Sequence, residues 1–171
     1  MGPLQHFSED PGITRFVPHV PVTNPGHRPA VWAMDEEHAP LYWFPRDCPR
    51  VTVWPRDEVE RTAFRTAFTT DAWRLHAMEL TWLERMRTTT LYRYLLPAER
   101  FAPWADATGQ WICEHEVEPI AVEPVGDLPA AHVAAYIELR IVPSLRPLRD
   151  AVIDGTWDFS IVRMANAAPR C

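Results

Sequence analysis

The feature that most limits how this chain can fold is its proline content, with 18 prolines against 6 glycines in 171 residues. Proline fixes the backbone dihedral φ and has no amide hydrogen, so it interrupts helices and central strands. This ratio predicts many stiff, extended connections between short secondary-structure elements.

Length and composition predict one globular domain over residues 1–171. A chain of this size buries roughly two-thirds of its unfolded surface without a metal or a disulfide, and 47% hydrophobic residues is a globular value. The net charge of -6 argues against general nucleic-acid binding and against an anionic membrane surface. All 17 basic residues are arginines, which excludes a lysine Schiff base and supplies planar groups suited to carboxylate or phosphate.

Cysteine usage and hydropathy indicate the compartment. Cys48, Cys113 and Cys171 are odd in number and form no C-x-x-C motif, so neither a disulfide framework nor a zinc ribbon is expected. No run approaches the ~20 apolar residues of a membrane span, and the amino terminus has no signal-peptide pattern. We therefore expect a cytoplasmic protein.

Short strand patterns alternate with short helical patterns, which predicts an α+β domain with mixed or mostly antiparallel sheets. Strands are expected where β-branched and aromatic residues alternate, and helices where apolar residues recur every three or four positions. The expected strands are 3–8, 30–34, 50–54, 74–80, 90–97, 110–116, 118–125, 139–144 and 157–165, and the expected helices are 56–68, 81–88, 128–138 and 145–154.

Local signals refine these elements. Thr81 and Asp127 are expected to cap the second and third helices, and Asp35 is expected to cap a turn. Residues 17–29 contain four prolines and the triplet "NPG", which predicts a loop acting as a lid or a strap. The apolar stripe of the first helix is expected to comprise Val59, Ala63 and Ala67, with Phe64 and Phe68 beside it.

Two groups of residues near the amino terminus are candidates for binding a ligand. His6 and Ser8 share one face of the first strand. Trp32 lies on the next predicted strand, and Tyr42 lies on a short helix that begins near Pro40, so their rings could sandwich a heteroaromatic ring. The alternatives stay open: His6 bonded to the backbone, and both rings packed in the core.

The runs "HFSEDPGITRF", "VWAMDEEHAPLYWFPRDCPRV", "PLRDAV" and "FSIVRMANA" resemble an uncharacterised family of small bacterial proteins of unknown function. The order of elements is also similar, more distantly, to the ADP-ribosyltransferase fold, with a His-bearing strand, an aromatic strand and a Tyr-bearing helix. That resemblance implies a cleft that binds NAD or a related nucleotide. The residues it assigns to the cleft are His6, Phe7, Ser8, Trp32 and Tyr42.

The same resemblance implies a catalytic glutamate on a late strand, where this sequence departs from the pattern. The expected position falls near Gln110 or Trp111, and glutamine lacks the charge that stabilises an oxocarbenium-like centre. The catalytic candidates are therefore His6, Glu114 and Glu116. From their own chemistry, Arg46 and Arg50 are added as candidate phosphate ligands.

Two other classes of function stay open. Arg46 and Arg50 flank Cys48, and nearby cations favour a thiolate, so a cysteine-dependent enzyme is one alternative. Its base would be His6, His38 or His115. A non-catalytic protein whose aromatic surface binds a partner or completes a homodimer is the other.

Two polar segments have competing interpretations. In "CEHE", 113–116, strand alternation would divide the potential metal ligands between two faces, so no metal site is expected. Near the carboxyl terminus, polar residues interrupt apolar runs. They are expected either to form ion pairs that join the last helix to the closing strand, or to face a cleft and bind an anion. These residues are Arg149 with Asp150 and Arg163 with Asn166.

Overall fold

A computed structural model describes residues 2–21 and 25–169. Within the predicted loop at 17–29, residues 22–24 lie outside the described residues, as does Cys171. The chain divides into two compact units, one formed by 1–43 with 90–125 and the other by 44–89 with 126–171. In the described parts, no helix has the length and apolar character needed to cross a membrane.

The described chain contains short strands and four short α-helices. Four 3-10 helices connect them, at Ala39–Tyr42, Leu80–Trp82, Ala98–Arg100 and Met164–Asn166. The strands are β1 Leu4–Ser8, β2 Val31–Met34, β3 Arg50–Trp54, β4 Arg74–Glu79, β5 Tyr92–Leu96, β6 Ala102–Pro103, β7 Gln110–Cys113, β8 Ala121–Pro124, β9 Ile137–Val142 and β10 Asp158–Val162. The helices are α1 Glu58–Phe68, α2 Leu83–Thr88, α3 Leu128–Ala134 and α4 Arg146–Ile153.

The first unit contains an antiparallel sheet with the strand order β6-β7-β2-β1-β5-β8. β1 is central because its residues pair with β5 along their whole length and with β2 at Gln5 and Met34. Side chains alternate across each strand, so one face of the sheet receives the apolar residues. That core comprises Leu4, Phe16, Val31, Ala33, Tyr94, Leu96, Phe101, Cys113 and Val117.

The second unit contains a four-stranded sheet with the order β10-β3-β4-β9. β4 and β9 pair in parallel, and the other pairs are antiparallel. One face packs against α1 and α4, where full burial of each large apolar side chain contributes about 1.5–3 kcal/mol. This core comprises Val51, Val53, Phe64, Phe68, Leu75, Ala77, Leu145 and Val152.

The predicted α+β class is confirmed, with two mostly antiparallel sheets and short helices. The helix beginning near Pro40 is the 3-10 helix Ala39–Tyr42. Asp127 caps α3 as predicted, since its side chain accepts a hydrogen bond from the amide of Ala130 at 2.7 Å. That the whole of 1–171 forms one domain stays a prediction.

The predicted apolar stripe of α1 is wrong. Val59, Ala63 and Ala67 are exposed, whereas Phe64 and Phe68 are buried. The two phenyl rings lie one helical turn apart and pack at a tilt of 48° with centroids 4.9 Å apart, so the larger side chains decide which face packs on the sheet.

Several predicted boundaries also differ from the structure. α2 begins at Leu83 after a 3-10 turn, so Thr81 is not its cap. The third helix ends at Ala134 instead of continuing to 138, because Tyr136 adopts a left-handed conformation with φ of 55° and Ile137 already pairs with Arg74. Long-range strand pairing overrides the local helical pattern here.

Candidate functional site

His6 has the backbone partner that the sequence left as an alternative. Its Nδ1 lies 2.8 Å from the carbonyl oxygen of Trp32. Its ring packs against Phe16, with centroids 4.7 Å apart. His6 and Leu4 lie two residues apart on β1, so their side chains point to the same face of the sheet. Leu4 belongs to the first core, and His6 therefore faces the core side.

The ring of Trp32 lies on the opposite face of that sheet, because Trp32 stands between the core residues Val31 and Ala33. Its indole packs against Trp104 and His27, with centroids 5.4 and 5.6 Å apart. Both contacts are edge-on, with interplanar angles of 67° and 86°, so rings of the protein itself lie against this indole. The predicted hollow shared by His6 and Trp32 is therefore wrong.

The other predicted ligand residues of the first unit take part in local structure. Ser8 Oγ accepts a hydrogen bond from the amide of Asp10 at 3.1 Å, which closes the turn after β1. Phe7 is half-buried and alternates with His6, so the two side chains point to opposite faces. Tyr42 is half-buried at the end of its 3-10 helix.

Asp35 caps its turn as predicted, and its Oδ1 lies 2.9 Å from the amide of His38 and 2.7 Å from the Nδ1 of His38. This pair fixes the imidazole of His38, a candidate base in the cysteine-enzyme alternative. His38 is buried, with 5% of the residue's surface exposed.

The catalytic candidates Glu114 and Glu116 lie beyond the end of β7, because the strand stops at Cys113 and not at 116. Their carboxylates form exposed ion pairs, Glu114 with Arg28 at 3.6 Å and Glu116 with Arg15 at 3.1 Å. Ion pairs of this kind contribute about 0–1 kcal/mol. A catalytic role for either residue stays a prediction.

A denser set of polar side chains lies in the second unit, on the sheet face opposite its apolar core. We call it the polar sheet face: Arg50, Thr52 and Trp54 of β3 with Arg74 and His76 of β4. The sequence "RVTVW" sends Val51 and Val53 to the core and the intervening residues to this face. All five side chains are buried. Burying so many polar groups is costly unless they have partners, which marks this face as a candidate site.

Two stacked arginines flank His76 on this face. The guanidinium of Arg74 lies 4.9 Å from the ring of Trp54, and that of Arg50 lies 5.3 Å from the ring of Phe44. Only 5% of Arg74 and 6% of Arg50 is exposed. Arg50 also donates to the carbonyl of Cys48 at 3.2 Å. Stacking orients each planar cation.

His76 and His132 form a buried pair across β4 and α3. The Nε2 of His132 lies 3.0 Å from the Nδ1 of His76, and neither residue is exposed. The Nδ1 of His132 lies 2.8 Å from the carbonyl oxygen of Leu128. The Nε2 of His76 is buried and has no hydrogen-bond partner among the described residues.

Burial holds both imidazoles neutral. It lowers the pKa of His76 well below the usual value, and His132, Arg74 and Arg50 lower it further because they disfavour a second positive charge. Burial also lowers the pKa of His132, against the opposing effect of the Leu128 carbonyl. Near neutral pH, His76 is therefore an uncharged ring between two cations.

Cys48 is fully buried, and its surroundings do not favour a thiolate. Burial raises the pKa of the Cys48 thiol to about 12, which outweighs the opposing effects of Arg50 and Arg85. The predicted activation of this cysteine by nearby cations is therefore wrong. Of the two flanking arginines, Arg46 is exposed and Arg50 belongs to the polar sheet face.

The polar residues near the carboxyl terminus support local structure. Arg149 pairs with its neighbour Asp150 at 2.6 Å. Arg163 pairs with Asp47 at 3.2 Å, and Asn166 donates to the carbonyl of Asp47 at 2.8 Å. The contacts of Arg163 and Asn166 hold the turn before β3, and none of these three contacts joins α4 to the closing strand. Ion pairs that join the last helix to the closing strand stay a prediction.

Sequence reasoning missed His76, His132 and Arg74. The alternation in "RLHAM" places Arg74 and His76 on one face, but the same pattern is typical of a strand with a solvated polar face. His132 is 56 residues away from His76 on a different element. Within the described residues, no group of three or more His, Cys, Asp or Glu side chains is arranged to hold a metal ion.

Comparisons with known proteins give one match. A protein-family model described as a family of unknown function matches residues 5–167. No curated protein and no solved structure matches the chain. The resemblance to the ADP-ribosyltransferase fold draws no support from solved structures and stays a prediction.

Proposed function

The chain belongs to the family of unknown function DUF6886, and from its geometry we propose that the polar sheet face of the second unit binds a small molecule bearing an anionic phosphate or carboxylate group. Arg50 and Arg74 supply the positive charge, and His76 lies between them. The site is a revision of the sequence prediction, with which it shares Arg50.

The observation that carries this proposal is the partnerless Nε2 of a fully buried His76. A buried acceptor without a donor costs about 1–3 kcal/mol of stability. Groups of this kind concentrate where a ligand completes the hydrogen bonding. A bound molecule that reaches Nε2 would recover that cost.

Charge supports an anionic ligand. Both arginines act on His76 closely enough to lower its pKa, so a group beside Nε2 lies in their combined positive field. Guanidinium groups bind carboxylate and phosphate through two parallel hydrogen bonds, and a buried setting strengthens such bonds.

NAD or a related nucleotide is the finer form of this proposal. From the sequence resemblance this form takes only the ligand class, because the cleft that the resemblance assigned lies in the first unit. The pyrophosphate, which carries no hydrogen near neutral pH, would bind the two arginines, and a ribose hydroxyl would donate to the Nε2 of His76. A binding test with NAD, ADP-ribose, inorganic phosphate and a small dicarboxylate separates nucleotides from simpler anions. Formation of a homodimer likewise stays a prediction.

The test is calorimetric titration with each of these ligands at millimolar concentration, together with thermal unfolding. We expect saturable binding and a raised melting temperature with at least one ligand, because a ligand that binds only the folded state stabilises it. Arg74→Gln should abolish the effect. Arg87→Gln, the same substitution at an exposed arginine of α2, should leave it unchanged.

Two outcomes would refute the proposal: no binding by any of the four ligands, or equal binding by the wild type and Arg74→Gln. If Arg74→Gln does not fold, Arg50→Gln removes the other cation and tests the same face.

A further inference from the structure

We propose that His132 fixes the tautomer of His76 so that its Nε2 only accepts a hydrogen bond, and that the polar sheet face therefore selects oxyanions that carry a hydrogen over those that carry none. The ligand preference rests on the proposed function, whereas the tautomer does not. His132 is in this sense a positioning residue for His76.

The direction of the hydrogen bonds follows from the carbonyl at one end. The Leu128 oxygen can only accept, so the Nδ1 of His132 carries the hydrogen of that 2.8 Å bond. A neutral imidazole has a single N–H, so the Nε2 of His132 is an acceptor. The 3.0 Å contact then requires the Nδ1 of His76 to donate.

This order leaves the Nε2 of neutral His76 without a hydrogen. The lone pair is buried and has no donor among the described residues. A ligand that approaches it with a hydrogen can form a bond, whereas a ligand that approaches with a bare oxygen places two lone pairs together. The two arginines attract both kinds of anion, so Nε2 is the group that discriminates between them.

Phosphate and sulfate provide a matched pair of probes. Both are tetrahedral oxyanions of similar size, but near neutral pH every inorganic phosphate ion carries at least one hydrogen and sulfate carries none. An unmet buried acceptor facing a bare oxygen predicts a preference for phosphate of at least about fivefold in Kd.

The tautomer can be tested without a ligand. Two-bond proton–nitrogen correlation spectra near pH 7, with signals assigned through His76→Gln and His132→Gln, report which ring nitrogens carry hydrogen. We expect the hydrogen on Nδ1 in both rings. A hydrogen on the Nε2 of His76, or a charged ring in either residue, would overturn the proposal that His132 fixes the tautomer of His76.

Ligand preference is then measured by titrating phosphate and sulfate into three proteins. In the wild type and in His132→Gln, whose amide oxygen can accept from His76, phosphate should bind more tightly. In His132→Leu, His76 is free to carry its hydrogen on Nε2, and the preference should fall to about threefold or less. Thermal unfolding shows whether each variant is folded.

The outcomes separate this inference from the proposed function. Equal binding of phosphate and sulfate by the wild type would overturn the selectivity while leaving the anion site intact. If the spectra show the expected tautomers but neither ion binds, the tautomer of His76 is confirmed and the selectivity is overturned. If His132→Leu does not fold, the wild-type spectra still test the tautomer, and the phosphate and sulfate titrations of the wild type still test the selectivity.

Discussion

Replacing His76 with glutamine should flatten the dependence of folding stability on pH between pH 7.5 and pH 5. In the wild type, the folded state keeps His76 neutral because burial and the neighbouring cations lower its pKa. In the unfolded chain the ring takes up a proton near the usual pKa of about 6.5. Acidification therefore favours the unfolded state, and stability is lost as pH falls below that value.

The magnitude follows from proton linkage. Below the pKa of the unfolded chain, each histidine that stays neutral in the folded chain lowers the free energy of unfolding by about 1.4 kcal/mol for each unit by which the pH falls. Integrated from pH 7.5 to pH 5, one such histidine accounts for about 2 kcal/mol. His132 contributes in the same direction, because its pKa is also lowered. The His76→Gln variant should retain only the second contribution.

The assay is urea unfolding followed by fluorescence at half-unit pH intervals, for the wild type, His76→Gln and His115→Gln. His115 is exposed, so its replacement serves as the matched control and should leave the pH profile unchanged. From pH 7.5 to pH 5, the free energy of unfolding of the wild type should fall by about 2 kcal/mol more than that of His76→Gln. Parallel profiles for these two proteins would show that His76 is not held neutral, and would refute the reasoning from its burial.

Three further predictions test other parts of the structure. Cys48 should resist alkylation in the folded protein at pH 8 and react after denaturation, because its thiol is buried with a pKa of about 12; rapid modification mapped to Cys48 in the folded state would contradict this. Gly109→Ala should cost more stability than Gly126→Ala in denaturant unfolding, since both have positive φ, 79° and 90°, but only at 109 would the added Cβ collide with the ring of His38. Similar losses would mean that backbone strain alone, about 1–2 kcal/mol, sets the cost. Glu79→Gln should cost about 1–3 kcal/mol by the same measurement, because the buried carboxylate accepts two backbone amides and glutamine has one acceptor oxygen; an unchanged midpoint would refute that role.

The sequence alone determined the element types and much of their placement. Period-two alternation identified β1 and β3, and Asp127 identified the start of α3, because these signals depend on neighbours within a few residues. Pro40 likewise indicated the short 3-10 helix that carries Tyr42. Local backbone preference and local side-chain hydrogen bonds are sufficient for such features.

Tertiary structure decided which faces are buried and which polar groups meet. Alternation divides β4 into two faces, but only its pairing with β3 and β9 and its packing against α3 bury His76 and bring His132 to it. The same pairing ends α3 before Tyr136. The predicted meeting of His6 and Trp32 failed for a related reason: it depended on which faces two neighbouring strands share, and sheet register fixes that through contacts between residues distant in sequence.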